Sequence, residues 1–462
     1  MKAWQWEREN ILKVEPCYTE DDNETIWEEE AAGPELAQDA MSKMYWHSQV
    51  PGSRAPESIC NASVQAIENR GYVVENAREL LDKGFKAYED DDIVELHKLT
   101  YKVFDAVNAA KKDENSDYWK QKFYETFEDL EKAVKYPEPV DVPIDDDYIE
   151  RTYAGWLSQI IGGAYGTCIE GYTGANIKKR YGEVDRYIRK PNTYNDDITY
   201  ELCLLLAYKQ FGKKTTALDI AYEWTSRIPM GWSAEDFAIR NLKAGILPPE
   251  SGRFHNPFNE WIGAQMRGAV CGQLYPGNIK EAARSAFMDA SISHAKNGIL
   301  GEVFNAMMTS YAYVESDIRK IIKDCIELIP ADSEYGQVIR FAYEQCLNHN
   351  DYYSAWMVCE EKYQRYNWIH AYPNACAEVI ALYFGEGDFD KTMTYCGGCG
   401  QDVDCNAAQI MTIIGIINKS DAIRDYWKAP IGDDLDTYVR GLKKISIKEL
   451  AKLTAEVAKT LK

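Results

Sequence analysis

The stretch Gly400-Gln401-Asp402-Val403-Asp404-Cys405-Asn406-Ala407-Ala408, running on through Ile410, Met411, Ile413, Ile414, Gly415 and Ile416, decides the fold. Two carboxylates stand at its mouth and nearly every later position is apolar, so the spacing predicts a helix buried on all sides in the middle of a domain. A second stretch repeats the arrangement. Asn195-Asp196-Asp197 precedes Ile198, Leu202, Leu204, Leu205 and Leu206, and Phe211-Gly212-Lys213-Lys214 closes that helix. One acidic residue in a first turn is ordinary, since it satisfies free N–H groups and complements the helix dipole. Two acidic pairs opening two buried helices repel one another and lose hydration unless a cation compensates them. Hard ions such as Mg²⁺, Mn²⁺ or Ca²⁺ prefer such oxygen ligands, so the residues themselves point to a metal site.

Apolar positions recur at three- and four-residue spacing in segments 148–168, 197–211, 280–296, 299–315 and 406–417, and extended alternating runs are scarce. The expected class is all-α, a large helical domain behind a smaller helical N-terminal one. Three prolines in Tyr136-Pro137-Glu138-Pro139-Val140-Asp141-Val142-Pro143 deny the chain a continuous helix and place the junction there, giving residues 1–140 and 141–462. Residues 1–58, rich in Trp and Glu, are expected either to wrap over the main domain or to stay partly mobile. The acidic run Glu89-Asp90-Asp91-Asp92 reads as a solvated turn.

The net charge of −22 repels polyphosphate, which argues against sequence-independent nucleic-acid binding and against anionic membranes. Met1-Lys2-Ala3-Trp4-Gln5-Trp6-Glu7 lacks the pattern of a signal peptide, and no apolar run approaches the ~20 residues of a membrane span, so a soluble cytoplasmic protein is expected. Twelve cysteines scattered through apolar patterns suit buried free thiols. Cys396-Gly397-Gly398-Cys399 is the one tight pair and reads as a glycine turn ahead of half a zinc site or a redox pair.

Three further stretches carry donors or acids. Gly162 to Gly171 sets small residues along a helix, permitting close backbone approach, with Glu170 at its end as a general base or water-orienting group. Asn256 to Arg267 mixes donors with aromatics and has the pattern of an amphipathic helix with an Asn-Pro start. Ser293-His294 and Gly298 close a helix, where His294 favours the dipole or touches a ligand more readily than it binds a metal.

In co-linear order, Gly-x-x-x-Gly with Glu170, then Asn195-Asp196-Asp197, then Ser293-His294 with Gly298, then Asp402-x-Asp404-Cys405-Asn406, resemble the ADP-ribosylglycohydrolase family over residues 148–462. The stretches Asn256 to Arg267, Pro373-Asn374-Ala375 and Gly385 to Phe389 resemble its bacterial members. The resemblance implies an all-helical domain holding two Mg²⁺ or Mn²⁺ ions in a cleft and hydrolysing the N- or O-glycosidic bond between ADP-ribose and an acceptor. The acceptor belongs to an ADP-ribosylated protein or a small ADP-ribosyl conjugate. It implies Asn195, Asp196, Asp197, Asp402, Asp404 and Cys405 as metal ligands, Glu170, Asp197 and Asp402 in catalysis, and Asn256, His294 and Gly298 as ligand contacts. The chain departs from the family pattern at Asn195 and Cys405, where Thr is usual, at Val403, which lacks a hydroxyl, and at Gly163, where several members carry Asp. An Asn carbonyl is a hard ligand, whereas a neutral thiol is a poor one for Mg²⁺.

Two other readings stand beside the hydrolase: a catalytically weak protein that binds ADP-ribose or a related nucleotide or masks a toxin, and a hydrolase of another N-glycoside, since fold does not fix the leaving group.

Overall fold

Gly155, Gly162 and Gly166 lie on one face of the Asp146–Gly166 helix, and that face meets the helix Val403–Asn418. A Cβ on Gly162 would stand 2.5 Å from Ala407 O, and one on Gly166 only 2.1 Å from the Asp404 amide nitrogen. Gly415 answers from the other helix, where a Cβ would meet Ala154 O at 2.4 Å. The two backbones therefore touch along their length, which no larger residue permits. Asp145 starts the first of these helices by accepting the amides of Asp147 and Tyr148. Every residue from Val403 to Ile416 is buried, as the uniformly apolar sequence requires, and each buried isoleucine of that run contributes about 1.5–3 kcal/mol.

The computed structural model describes residues 1–16 and 27–462. Among these residues there are twenty-three α-helices and only four two-stranded antiparallel ladders, so the protein is all-α. The C-terminal helix Ile447–Leu461 packs on the Asp146–Gly166 helix, with Trp156 donating to Thr454 Oγ1 at 3.0 Å. One ladder matters for the site: Tyr172 pairs with Gln401 and Thr173 with Gly400.

Helices Trp27–Trp46, Ile59–Asn69, Ala77–Glu89 and Ile93–Asn108 pack together near the N-terminus, Trp46 lying against Gly84 and donating to Thr100 at 2.7 Å. They also touch later parts of the chain: Trp232 donates to Glu57, and Gln65 and Asn69 both donate to Arg365 O. Residues 135–144, around the three prolines, carry no regular structure. Of the segment 1–58, residues 17–26 lie outside the described residues. Among the described residues no helix is long and apolar enough to cross a membrane.

Three local expectations change. Cys396-Gly397-Gly398-Cys399 is the last turn of the helix Phe389–Cys399, not a glycine turn; the chain turns one residue later, at Gly400 with φ +73°. Its glycines admit Tyr165 and Tyr352, whose hydroxyls would stand 2.0 and 2.5 Å from added Cβ atoms. Asn256 to Met266 is a buried irregular segment with a 3₁₀ turn at Gln265–Arg267, not an amphipathic helix. Its backbone bonds go to remote partners instead, Ile262 N–H to Ile369 O and Ala295 N–H to Asn259 O. The helix before His294 is Ile279–Ala290, so His294 lies in the following turn, not in the closing turn of a helix.

Candidate metal centre

Three chain segments are brought together by backbone features. After Gly166 the chain turns through 167–171, with the Glu170 amide donating to Gly166 O and Gly171 to Gln401 O. The Tyr172–Thr173 and Gly400–Gln401 ladder then fastens the Glu170 turn beside Asp402. Asn374 fixes the other side: its Oδ1 accepts the Asp402 amide at 3.1 Å and Asn406 Nδ2 at 2.7 Å, while its Nδ2 donates to Trp368 O and His370 O. Asn195 Oδ1 accepts the Asp197 amide at 2.7 Å, a turn just ahead of the Asp197–Phe211 helix, and its Nδ2 donates to Asp404 Oδ2 at 3.2 Å. Asn195 thus joins the two acidic stretches.

Five carboxylates meet here: Glu170, Asp196, Asp197, Asp402 and Asp404. All but Asp196, which keeps partial access to the surface, are buried. Burial pushes Glu170, Asp197 and Asp402 well above the ordinary carboxylate range, and Asp404 is the next cause for each. Asp196 is raised by the same two causes, to about 6. Asp404, also raised by burial, is eased by its contacts with Asp402 and Glu170. It is therefore the electrostatic hub of the group.

Such crowding of acids asks for a cation. Both oxygens of Asp197, Oδ1 of Asp402, Oδ1 of Asp404 and Oδ1 of Asn406 are buried with no hydrogen-bond partner among the described residues. Asp402, Asp404 and Cys405 present one donor atom each, all within 4.8 Å of one another. Unpartnered oxygens from two helices with no compensating cation fit a divalent ion, because an unpaired buried charge is among the costliest features a fold can hold.

A cleft of about 720 Å³ opens beside the group, lined by Gly171, Tyr172, Trp368, Tyr366, Pro373 and Gln401 among others. Gly171 and Gln401, which line it, are the chain neighbours of Glu170 and Asp402. Asn374 and Gln401 had no role assigned from sequence; a single buried Asn in an apolar helix was the available signal for the first.

The expected ligand contacts lie elsewhere. Asn256 donates its amide hydrogens to Ala234 O and Ser293 O, both at 3.0 Å, and accepts the Phe258 amide. Gly298 packs against Asn259 O, 2.3 Å from an added Cβ. His294 is wholly buried, with Nδ1 2.7 Å from Ser293 Oγ, and burial holds its imidazole well below its ordinary pKa. A neutral imidazole gives no help to a helix dipole. Asn256 and His294 both bond to Ser293, whose hydroxyl accepts Arg267 at 3.0 Å, and that guanidinium also donates to Glu235 at 2.9 Å and pairs with Asp289.

The chain matches the family model described as ADP-ribosylglycohydrolase over residues 144–459. It is 25% identical over 293 residues to an uncharacterized protein of Archaeoglobus fulgidus, covering 60% of this chain and 90% of that one. Among solved structures it is similar to an ADP-ribosylglycohydrolase-related protein complex, at 17% identity and TM-score 0.51, over 69% of this chain and all of the other. That likeness is one of fold. With two-thirds of its length under the family model and its two acidic helix starts brought together, the chain belongs to the ADP-ribosylglycohydrolase family.

Proposed function

We propose that the protein is a divalent-metal-dependent hydrolase of the glycosidic bond between ADP-ribose and an acceptor, a protein side chain or a small conjugate. The observation that carries this reading is the set of buried oxygens on Asp197, Asp402 and Asp404 that have no hydrogen-bond partner among the described residues. In it, Asp196, Asp197, Asp402 and Asp404, with the oxygen of Asn195, would hold the Mg²⁺ or Mn²⁺ ions, and the Cys405 thiol would stand beside them. Bound there, the metal would supply charge compensation and Lewis-acid contacts for ribose hydroxyls and a water.

The chain's own residues do the rest. Glu170, locked beside Asp402 by the ladder, takes the proton of the attacking water on a carboxylate oxygen as the new C–O bond forms at the anomeric carbon. The bond to the acceptor breaks with its electron pair leaving on the acceptor atom, which takes the proton held by Glu170. With a bound ion offsetting their repulsion, Asp197 and Asp402 would be ionised, and their negative charge would stabilise the oxocarbenium-like centre. Tyr172 and Trp368 form the apolar wall that excludes water from one side.

The deciding experiment combines a thermal shift with product release. ADP-ribose should raise the melting temperature in Mg²⁺ or Mn²⁺ and lose that effect in EDTA, and a panel of mono-ADP-ribosylated peptides should yield free ADP-ribose. The shift without release from any acceptor favours the weak binding protein, to which Val403 and Cys405 lend support because each departs from the family's hydroxyl-bearing pattern. No shift with any metal rejects both.

A further inference from the structure

Cys405 lies in the first turn of the Val403–Asn418 helix, directly after Asp404. Its sulfur is within a mutual 4.8 Å of ligand atoms of Asp402 and Asp404. Met266 Sδ, itself buried, lies 3.7 Å from that sulfur. Among the described residues, Asp197 Oδ1 and Oδ2, Asp402 Oδ1 and Asp404 Oδ1 have no hydrogen-bond partner.

We propose, resting on the reading of this group as a metal centre, that Cys405 makes it a mixed oxygen–sulfur site selective for a borderline ion of the Fe²⁺, Co²⁺ or Zn²⁺ class over Mg²⁺. Carboxylate oxygens accept all of these ions. A thiol does not: Mg²⁺ keeps its water shell and leaves the S–H in place, whereas a borderline ion displaces the thiol proton to solvent and forms a bond to the resulting thiolate. A Thr hydroxyl at the same position is a hard neutral donor that favours neither class in this way.

Cobalt reports on the sulfur directly. Titrated with Co²⁺, the wild-type protein should develop the near-ultraviolet charge-transfer absorption of a thiolate–cobalt bond in step with calorimetric binding. Cys405→Ser, checked by circular dichroism for folding, should bind Co²⁺ without that band. Because carboxylate sites alone already favour Co²⁺ over Mg²⁺, the measure is the change: the Co²⁺-to-Mg²⁺ affinity ratio should fall at least about tenfold in Cys405→Ser. Met266→Leu should keep the band, since the thioether is not the ligand. Calorimetric Co²⁺ binding with no band in wild type, or an unchanged affinity ratio in Cys405→Ser, overturns the selectivity and leaves the metal-dependent hydrolase standing. Failure of wild type to bind any divalent ion overturns the metal centre itself.

Discussion

Asn195 Nδ2 donates to Asp404 Oδ2 at 3.2 Å, tying the starts of two helices that lie 209 positions apart in the chain. Asn195 is neutral, so it satisfies one oxygen without compensating any charge. Asp404, the residue it holds, is after burial the largest reason that Glu170, Asp196, Asp197 and Asp402 all resist ionisation.

Asp404→Asn should therefore act in opposite directions on the two forms of the protein. Without metal it removes the central like charge, and the variant should be more stable than wild type by about 1–2 kcal/mol, a shift of one pKa unit being worth ~1.4 kcal/mol. With Mg²⁺ or Mn²⁺ the order reverses. Wild type gains about 2.7 kcal/mol at an ion concentration 100 times its dissociation constant, and the variant little of it. Denaturant melts in EDTA and in excess ion check both halves; unchanged ion affinity in calorimetry would remove Asp404 from the site.

The close approach of the two central helices gives a second expectation. Gly166→Ala places a methyl 2.1 Å from the Asp404 amide, with backbone on the far side that cannot yield as a side chain would. It should cost about 1–3 kcal/mol or more by overpacking and also weaken ion binding, because the start of the Val403–Asn418 helix must move. Gly33→Ala, in a helix where an added Cβ meets nothing within 4 Å, should be neutral or stabilising by up to about 1 kcal/mol. Thermal melts of the two variants with and without Mn²⁺ separate a general glycine effect from this contact.

What the sequence disclosed and what it hid follow from the range of the interactions. The Val403–Asn418 and Asp197–Phe211 helices were legible because their apolar runs and acidic starts are local signals. That Asn195 reaches Asp404, or that Asn374 holds the Asp402 amide, depends on chain crossings with no local mark. Asn256 to Met266 misled because its apolar spacing fits a helix, while its backbone bonds are satisfied by Ile369 and Ala295, far along the chain. His294 misled for a related reason: the helix stops at Ala290 and Gly252 comes so close to the His294 backbone that an added Cβ would stand 2.8 Å from its nitrogen, an approach invisible from sequence.

Away from the acids, Glu201 and Glu378 predict the pH dependence of stability. Burial raises each to about 8, with Gln159 at 2.8 Å from Glu201 and Asn305 at 3.2 Å from Glu378 as partial compensation. A carboxyl raised in the folded state binds more protons there than in the unfolded chain, so its stabilisation is complete below about pH 4.3 and is lost as pH rises towards 8. Each group should contribute a slope of about −1.4 kcal/mol per pH unit between those limits. Glu201→Gln with Glu378→Gln should flatten the profile, measured by denaturant unfolding from pH 5 to 8; an unaltered slope would show that neither group titrates on unfolding.

Glu170 is the residue on which the chemical step rests in the proposed hydrolase, and its isostere isolates that duty. The side chain is buried beside Asp402 and Asp404, and its turn is fixed by the bond from Gly171 N–H to Gln401 O at 2.9 Å, so Gln fits without rearrangement. Glu170→Gln keeps the volume and removes only basicity and charge. It also lowers repulsion within the acidic group, so ion affinity and melting temperature should hold or rise. Turnover on an ADP-ribosylated peptide should nevertheless fall about 10²-fold or more, the ordinary contribution of a general base. The loss should appear in kcat with KM little changed, because the interaction is made as the proton moves and not when the substrate binds. A variant that binds Mn²⁺ normally and turns over at the wild-type rate would take Glu170 out of the chemistry and leave Asp197 or Asp402 to accept the proton.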